Sequence, residues 1–261
     1  MKRLLIIGCG DIALRAIPSL VRHYRVYALV RNPAHGEKLR SLGVTPVVGD
    51  LDDRTSLARI AGLAHTVLHF APPPASGACD TRTRNLIAAL SRGILPKRLV
   101  YISTSGVYGD CGGAWVSETW PLRPRIPRAQ RRVDAERRIR EWAKRNRVVA
   151  AILRVPGIYA ADRLPLERIR QAMPTIAAAE DGYTNHIHAD DLARVAVVAL
   201  RHGKPNRIYH ASDDSRMKMG DYFDAVADAY GLPRVPRIGR AEAQRVLPES
   251  LLSFMNESRR L

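Results

Sequence analysis

An α/β fold built on a doubly wound, parallel sheet is what this chain of 261 residues predicts, and three observations carry that reading. Short apolar runs alternate with segments of helical periodicity from residue 3 to residue 154. A glycine turn, Gly8-Cys9-Gly10-Asp11-Ile12-Ala13, separates the first apolar run from the first helical pattern. The run Arg98-Leu99-Val100-Tyr101-Ile102-Ser103 is mainly apolar, as suits a strand covered on both faces.

Taken in order, Leu4-Leu5-Ile6-Ile7 predicts a strand near 3–8, and further strands are expected near 25–30, 46–48, 66–71, 98–103 and 148–154. Ile12, Ala16 and Leu20 recur one turn apart and predict a helix near 11–23. Helices also fall near 34–42, 54–62, 80–93, 127–146 and 164–172. Past residue 155 the alternation loosens around Pro156, Pro165, Pro174, Pro233 and Pro236. The expected division is a nucleotide-binding domain over 1–155, with 186–212 returning to its sheet, and a small C-terminal substrate lobe from 156–185 and 213–261.

An apolar fraction of 46% is ordinary for a folded domain, and no apolar run reaches membrane-span length. The first strand is too short for a signal peptide and lacks its cleavage pattern. Cys9, Cys79 and Cys111 have no metal-ligand spacing, and three is the wrong number for a disulfide framework. The expected compartment is the cytoplasm, and no metal is expected. The net charge of +17 is nearly all arginine, densest over 123–147. That block reads as an electropositive surface for an anionic ligand or nucleic acid, or as the solvated face of a helix whose apolar stripe is Ala129, Val133, Ala135, Ile139, Trp142 and Ala143. Without interleaved aromatics, nucleic acid is the disfavoured partner.

A strand, a glycine turn and a helix in that order form a pyrophosphate site. The glycines let backbone amides reach the phosphate oxygens, and the helix N-terminus supplies partial positive charge. Gly8, Gly10, Asp11 and Ile12 are therefore expected to bind a dinucleotide. About twenty residues on, the second strand ends Tyr27-Ala28-Leu29-Val30-Arg31-Asn32 with no carboxylate to hold a ribose 2′-hydroxyl. Arg31 is available for a 2′-phosphate, which favours NADP, with NAD as the alternative. Asp50, before Leu51, can take the adenine amino group or cap the segment beginning near Arg54. Small residues in Phe70-Ala71-Pro72 let backbone lie close to the nicotinamide-side ribose.

These segments, with Tyr101-Ile102-Ser103-Thr104-Ser105-Gly106-Val107-Tyr108-Gly109, Glu118-Thr119-Trp120-Pro121, Leu153-Arg154-Val155-Pro156-Gly157-Ile158-Tyr159, His186-Ile187-His188-Ala189-Asp190-Asp191-Leu192 and Ile208-Tyr209-His210-Ala211, resemble the extended short-chain dehydrogenase/reductases of the nucleotide-sugar epimerase/dehydratase branch. The resemblance covers most of the chain. It implies a Rossmann-type fold, adds Val155 and Pro156 to the cofactor contacts, and makes Thr104 the hydroxyl that bonds the reacting oxygen.

The family's Tyr-x-x-x-Lys is missing. Aligning on Ala135-Glu136 puts Arg128 at the tyrosine position and Arg132 at the lysine position. Guanidinium titrates above about 12 and cannot serve as general base near neutrality. Arg132 can still hydrogen-bond the nicotinamide ribose, and Arg128 can clamp a carboxylate or phosphate. The chain is thus similar to the atypical members of the family. Tyr108, which packs beside the cofactor in this architecture, joins Tyr159, Tyr183, His186 and His188 as a substitute proton donor. The leading expectation is an NADP(H)-preferring oxidoreductase or epimerase-like enzyme acting on a small molecule, with an anionic one favoured. The alternative is a non-catalytic NAD(P)-binding redox-sensing or scaffold protein. The resemblance also implies a homodimer paired through 127–146.

Overall fold

Leu4, Leu5, Ile6 and Ile7 are all fully buried, which places the first strand inside a sheet covered on both faces. The computed structural model describes residues 1–248, 251–252 and 255–261. In chain order its elements are β1 (Lys2–Ile7), α1 (Asp11–Leu20), β2 (Tyr24–Val30), α2 (Gly36–Ser41), β3 (Val44–Val48), β4 (Thr66–His69), α3 (Thr81–Leu90), β5 (Arg98–Thr104), α4 (Pro127–Asn146), β6 (Val149–Val155), β7 (Gly157–Tyr159), α5 (Leu166–Arg170), β8 (Thr175–Ile176), β9 (His186–His188), α6 (Ala189–His202), β10 (Arg207–His210), α7 (Met219–Ala229), β11 (Arg237–Ile238) and α8 (Arg240–Val246).

A seven-stranded sheet runs β10-β6-β5-β4-β1-β2-β3, and every neighbouring pair in it is parallel. The doubly wound α/β fold expected from the sequence is therefore the fold observed. The strand order reverses between β1 and β4, the switch point at which such sheets open a crevice beyond their carboxyl ends. On one face, Leu5, Ile7, Val67, Leu99, Tyr101 and Ile152 pack with Leu86, Leu90, Ile139 and Trp142 of α3 and α4. On the other, α1 packs against α6, and α6 against β4, β5 and β6.

The chain separates into two compact units. The first is Met1–Val107, Pro124–Val155 and Ala189–Ala211; the second is Tyr108–Arg123, Pro156–His188 and Ser212–Leu261. Two segments lie in a different unit from the one expected. Tyr108–Arg123 joins the second unit, where Cys111 and Gly113 donate to the Ser258 carbonyl and Val116 to that of Arg260. His186–His188 does so because β9 pairs with β7.

Inside the first unit two ionic devices tie elements together. Arg15 of α1 pairs with Asp11 one turn earlier and with Asp190 of α6, each at 2.8 Å. Glu136 of α4 and Arg154 of β6 form a buried pair at 2.7 Å, and Ser103 of β5 donates to the same carboxylate at 2.5 Å. In the second unit, β8 pairs with β11. There the Arg237 guanidinium holds Asp224 at 2.7 Å and Asp181 at 3.6 Å.

The expected helix over 54–62 is a 3-10 segment, Thr55–Ile60. It stops at extended Ala61 and at Gly62, which has φ +66°. The expected strand over 66–71 ends at His69, because the Phe70 and Ala71 N–H groups both turn to the Ile7 carbonyl. Among the described residues, no helix is long and apolar enough to cross a membrane.

Candidate nucleotide site

The site begins where β1 and β4 leave the sheet side by side. The Ile7 carbonyl accepts from Phe70 N–H at 2.7 Å and Ala71 N–H at 3.0 Å, so the two exits are closed onto each other. Gly8 has φ +92°, and a side-chain carbon there would sit 2.7 Å from the Ala71 Cα and 2.9 Å from the Phe70 carbonyl carbon. Only glycine fits. Gly10 caps α1 with no side chain in place, and a carbon added there would meet nothing within 4 Å. The first-turn amides of α1 thus border open space, which is the cradle a pyrophosphate needs. Asp11 contributes backbone alone, since its carboxylate is taken by Arg15.

Alongside lies a cleft of about 690 Å³, lined by Gly8, Cys9, Leu14, Leu29, Val30, Arg31, Asn32, Ala34, His35, Lys38, Leu39, Gly49, Asp50, Leu51, Ala71, Pro72 and Arg82. That volume suits a cofactor. Six expected cofactor residues, Gly8, Arg31, Asp50, Leu51, Ala71 and Pro72, come together on its wall. Gly10, Asp11 and Ile12 follow at the start of α1, and Phe70 sits at the exit of β4. Val155 ends β6, and Pro156 belongs to the second unit.

Asp50 does not cap the segment that follows. Its carboxylate accepts from Asp52 N–H at 2.9 Å, while Asp53 accepts the Thr55 N–H at 2.9 Å. Cys9, Asn32, His35, Lys38 and Arg82 were not expected on the wall. The Asn-Pro pair was the signal for Asn32, whose side chain accepts the Ala34 N–H at 2.9 Å and turns the chain after β2. His35 and Lys38 ride on that turn and α2. Burial pushes the Cys9 thiol up to about 12, so it stays protonated at neutral pH.

At the end of β5, Thr104 is half-buried and its Oγ1 accepts the Gly106 N–H at 3.2 Å. Arg132 reaches the same strand end from α4, donating to the Ile102 carbonyl at 2.7 Å and the Tyr101 hydroxyl at 3.0 Å. Burial, against the pull of Arg132, pushes the Tyr101 phenol up to about 12. Arg128 is exposed in the first turn of α4. Tyr108 is fully buried in the second unit. There Tyr159 packs edge-on to His188 at 5.3 Å, and His186 stacks on Tyr222 at 4.1 Å. Burial holds His186 below the usual imidazole range. Among the described residues, no group of three or more His, Cys, Asp or Glu side chains could hold a metal ion.

The solved structures similar to this chain share its fold. A functionally unknown conserved protein from Silicibacter pomeroyi DSS superposes with a TM-score of 0.79 at 25% identity, covering 100% of this chain and 89% of its own. A dTDP-glucose 4,6-dehydratase double mutant from Streptomyces venezuelae, with NAD bound, gives 0.75 at 21% identity over 91% of this chain and 84% of its own. A UDP-N-acetylglucosamine 4-epimerase from Methanobrevibacter ruminantium M1 gives 0.75 at 15% identity over 100% and 88%. By sequence, the 4-hydroxy-2-methyl-3-oxo-4-farnesyl-3,4-dihydroquinoline-1-oxide ketoreductase of Stigmatella aurantiaca is 23% identical over 86% of this chain and 72% of its own. Residues 8–203 match the NAD(P)H-binding family from the glycine turn to the end of α6. With a bare glycine cradle, a cleft of the right volume and that match over well beyond half the sequence, the chain belongs to the NAD(P)H-binding family.

Proposed function

We propose that the chain is an NADP(H)-preferring oxidoreductase or epimerase-like enzyme of the atypical extended short-chain type, with Arg128 and Arg132 standing where the family carries tyrosine and lysine. The observation that carries the NADP preference is the basic corner of the cleft. Arg31, His35 and Lys38 line it together, and the end of β2 offers no carboxylate to a ribose 2′-hydroxyl.

The nicotinamide, when bound, supplies or accepts a hydride. Thr104 orients the reacting oxygen by hydrogen bonding. Arg132 fixes the end of β5, and Arg128 meets an anionic group of the substrate. Tyr101 cannot replace the missing tyrosine, because a phenol pushed to about 12 and already bonded to Arg132 gives up no proton near neutrality. The candidate donors read from the sequence, Tyr108, Tyr159, Tyr183, His186 and His188, all belong to the second unit. A ketone substrate is supported by the likeness to the ketoreductase of Stigmatella aurantiaca. The protein acts in the cytoplasm on a small molecule, with pairing of two copies through α4.

Stopped-flow mixing with NADPH and a panel of carbonyl compounds tests this reading on wild type and Thr104→Ala. Oxidation of NADPH that slows at least tenfold in the variant is expected; no turnover with any carbonyl in either protein overturns catalysis. The second reading, a non-catalytic NAD(P)-binding protein, is favoured by the commitment of Arg132 to Tyr101 and Ile102. Tight NADPH binding without oxidation would establish it.

A further inference from the structure

We infer that Arg82 sets cofactor choice by neutralising Asp52, which keeps Arg31 available for a 2′-phosphate; the inference rests on the NADP reading above.

Arg82, on the first turn of α3, lines the cleft with Arg31 and Asp50. Its guanidinium grips Asp52 with two prongs, Nε to Oδ1 at 2.9 Å and Nη2 to Oδ2 at 2.6 Å. The remaining nitrogen, Nη1, points at the Pro72 and Pro73 carbonyls at 3.3 and 3.5 Å. The guanidinium is thus pinned between the segment after β3 and the segment after β4. Asp52 is equally fixed, because its N–H is held by Asp50.

The consequence is electrostatic. Asp52 is held below the usual carboxylate range first by its hydrogen bonds to Arg82, then by the charges of Arg82 and Arg31. Without Arg82, the Asp52 carboxylate would be left uncompensated next to the cleft wall that Arg82 shares with Arg31, and its charge would oppose a phosphate dianion bound there. NADH carries no 2′-phosphate and is indifferent to that opposition. NADPH is not. An acid that would ordinarily oppose NADPH is therefore silenced by a residue thirty positions along the chain.

Binding by nucleotide fluorescence, with NADPH and NADH titrated separately into the full-length protein, tests this without turnover. Arg82→Ala is expected to weaken NADPH about fivefold and NADH less than about twofold. Asp52→Asn, at an exposed position, is expected to bind NADPH at least as tightly as wild type. The double variant should return the NADPH-to-NADH ratio to within about twofold of wild type. Equal weakening of both nucleotides by Arg82→Ala, a double variant no better than Arg82→Ala, or weaker NADPH binding by Asp52→Asn each overturns the inference. A wild type that binds neither nucleotide, or prefers NADH, overturns the NADP reading and this inference with it. A wild type that prefers NADPH with a ratio unmoved by Arg82→Ala overturns this inference alone.

Discussion

Gly8 and Gly10 stand two positions apart and have opposite duties. Gly8 is required by the fold, since its positive φ and its approach to the Ala71 backbone leave no space for a side chain. Gly10 has space, and its bareness serves the proposed nucleotide rather than the fold. Gly8→Ala is expected to destabilise the protein by about 2 kcal/mol or more. Gly10→Ala should keep its Tm within about 3 °C of wild type while NADPH affinity falls at least tenfold; thermal melts and titrations on both variants check the contrast. His69 offers a pH signature. Its Nε2–H donates to Thr83 Oγ1 at 2.9 Å, Thr83 donates on to Asp80 at 2.7 Å, and Nδ1 is buried with no partner among the described residues. Burial, helped by Arg132, lowers the imidazole to about 3. The unfolded chain takes that proton below about 6.5 while the native protein refuses it until about 3. Stability is thus whole above pH 6.5 and falls as pH drops toward 3, by about 2 kcal/mol at pH 5. Urea unfolding at pH 7.5 and 5.0 should show that loss in wild type and most of it gone in His69→Leu.

At the scale of elements, α4 is the instructive case. The spacing of its apolar residues predicts 127–146, the bounds observed. The direction of its charges was not legible. Arg131 turns inward to the Gly77 and Ala75 carbonyls at 2.7 and 3.0 Å and pins the segment before α3. Asp134 takes Arg137 and Arg138, and Glu136 is spent on Arg154. Neither acid is left to offset like charge where two copies of α4 would pair. Glu136→Gln should cost about 3 kcal/mol by stranding Arg154, and Glu136→Leu with Arg154→Met should recover much of it; equilibrium unfolding of the three variants measures both. Strands were readable because burial on two faces demands unbroken apolar runs. The segment over 54–62 misled because its Asp-Thr turn chemistry competes with an α-helix. The elements beyond residue 155 are mostly too short to show a period, and the Asp52–Arg82 grip joins residues with no local signal between them.

For the whole molecule, a net charge of +17 overstates the loose cation on the surface. Arg15, Arg82, Arg131, Arg132, Arg154 and Arg237 are structural struts, each holding a carboxylate or a carbonyl. Neutralising arginines of α4 to test a nucleic-acid surface should therefore use Arg137 and Arg140 and spare Arg131, whose loss releases the 75–77 segment. Hydrogen exchange with and without NADPH should concentrate new protection at 8–13, 30–38, 49–52 and 71–82. Protection spread evenly along the chain would argue against the cleft as the binding place.

The end of the described chain is woven into its middle. Ser258 bonds Cys111, Gly113 and Asp110, Arg259 donates to the Gly109 carbonyl 150 positions away, and Arg260 lies between the rings of Trp115 and Tyr183. During synthesis the Cys111, Gly113 and Val116 amides must then wait, facing water, until Ser258 and Arg260 have been translated. That wait is the interval in which a chaperone has most to protect, and a ribosome stalled after residue 255 would leave the 111–116 stretch open to a protease.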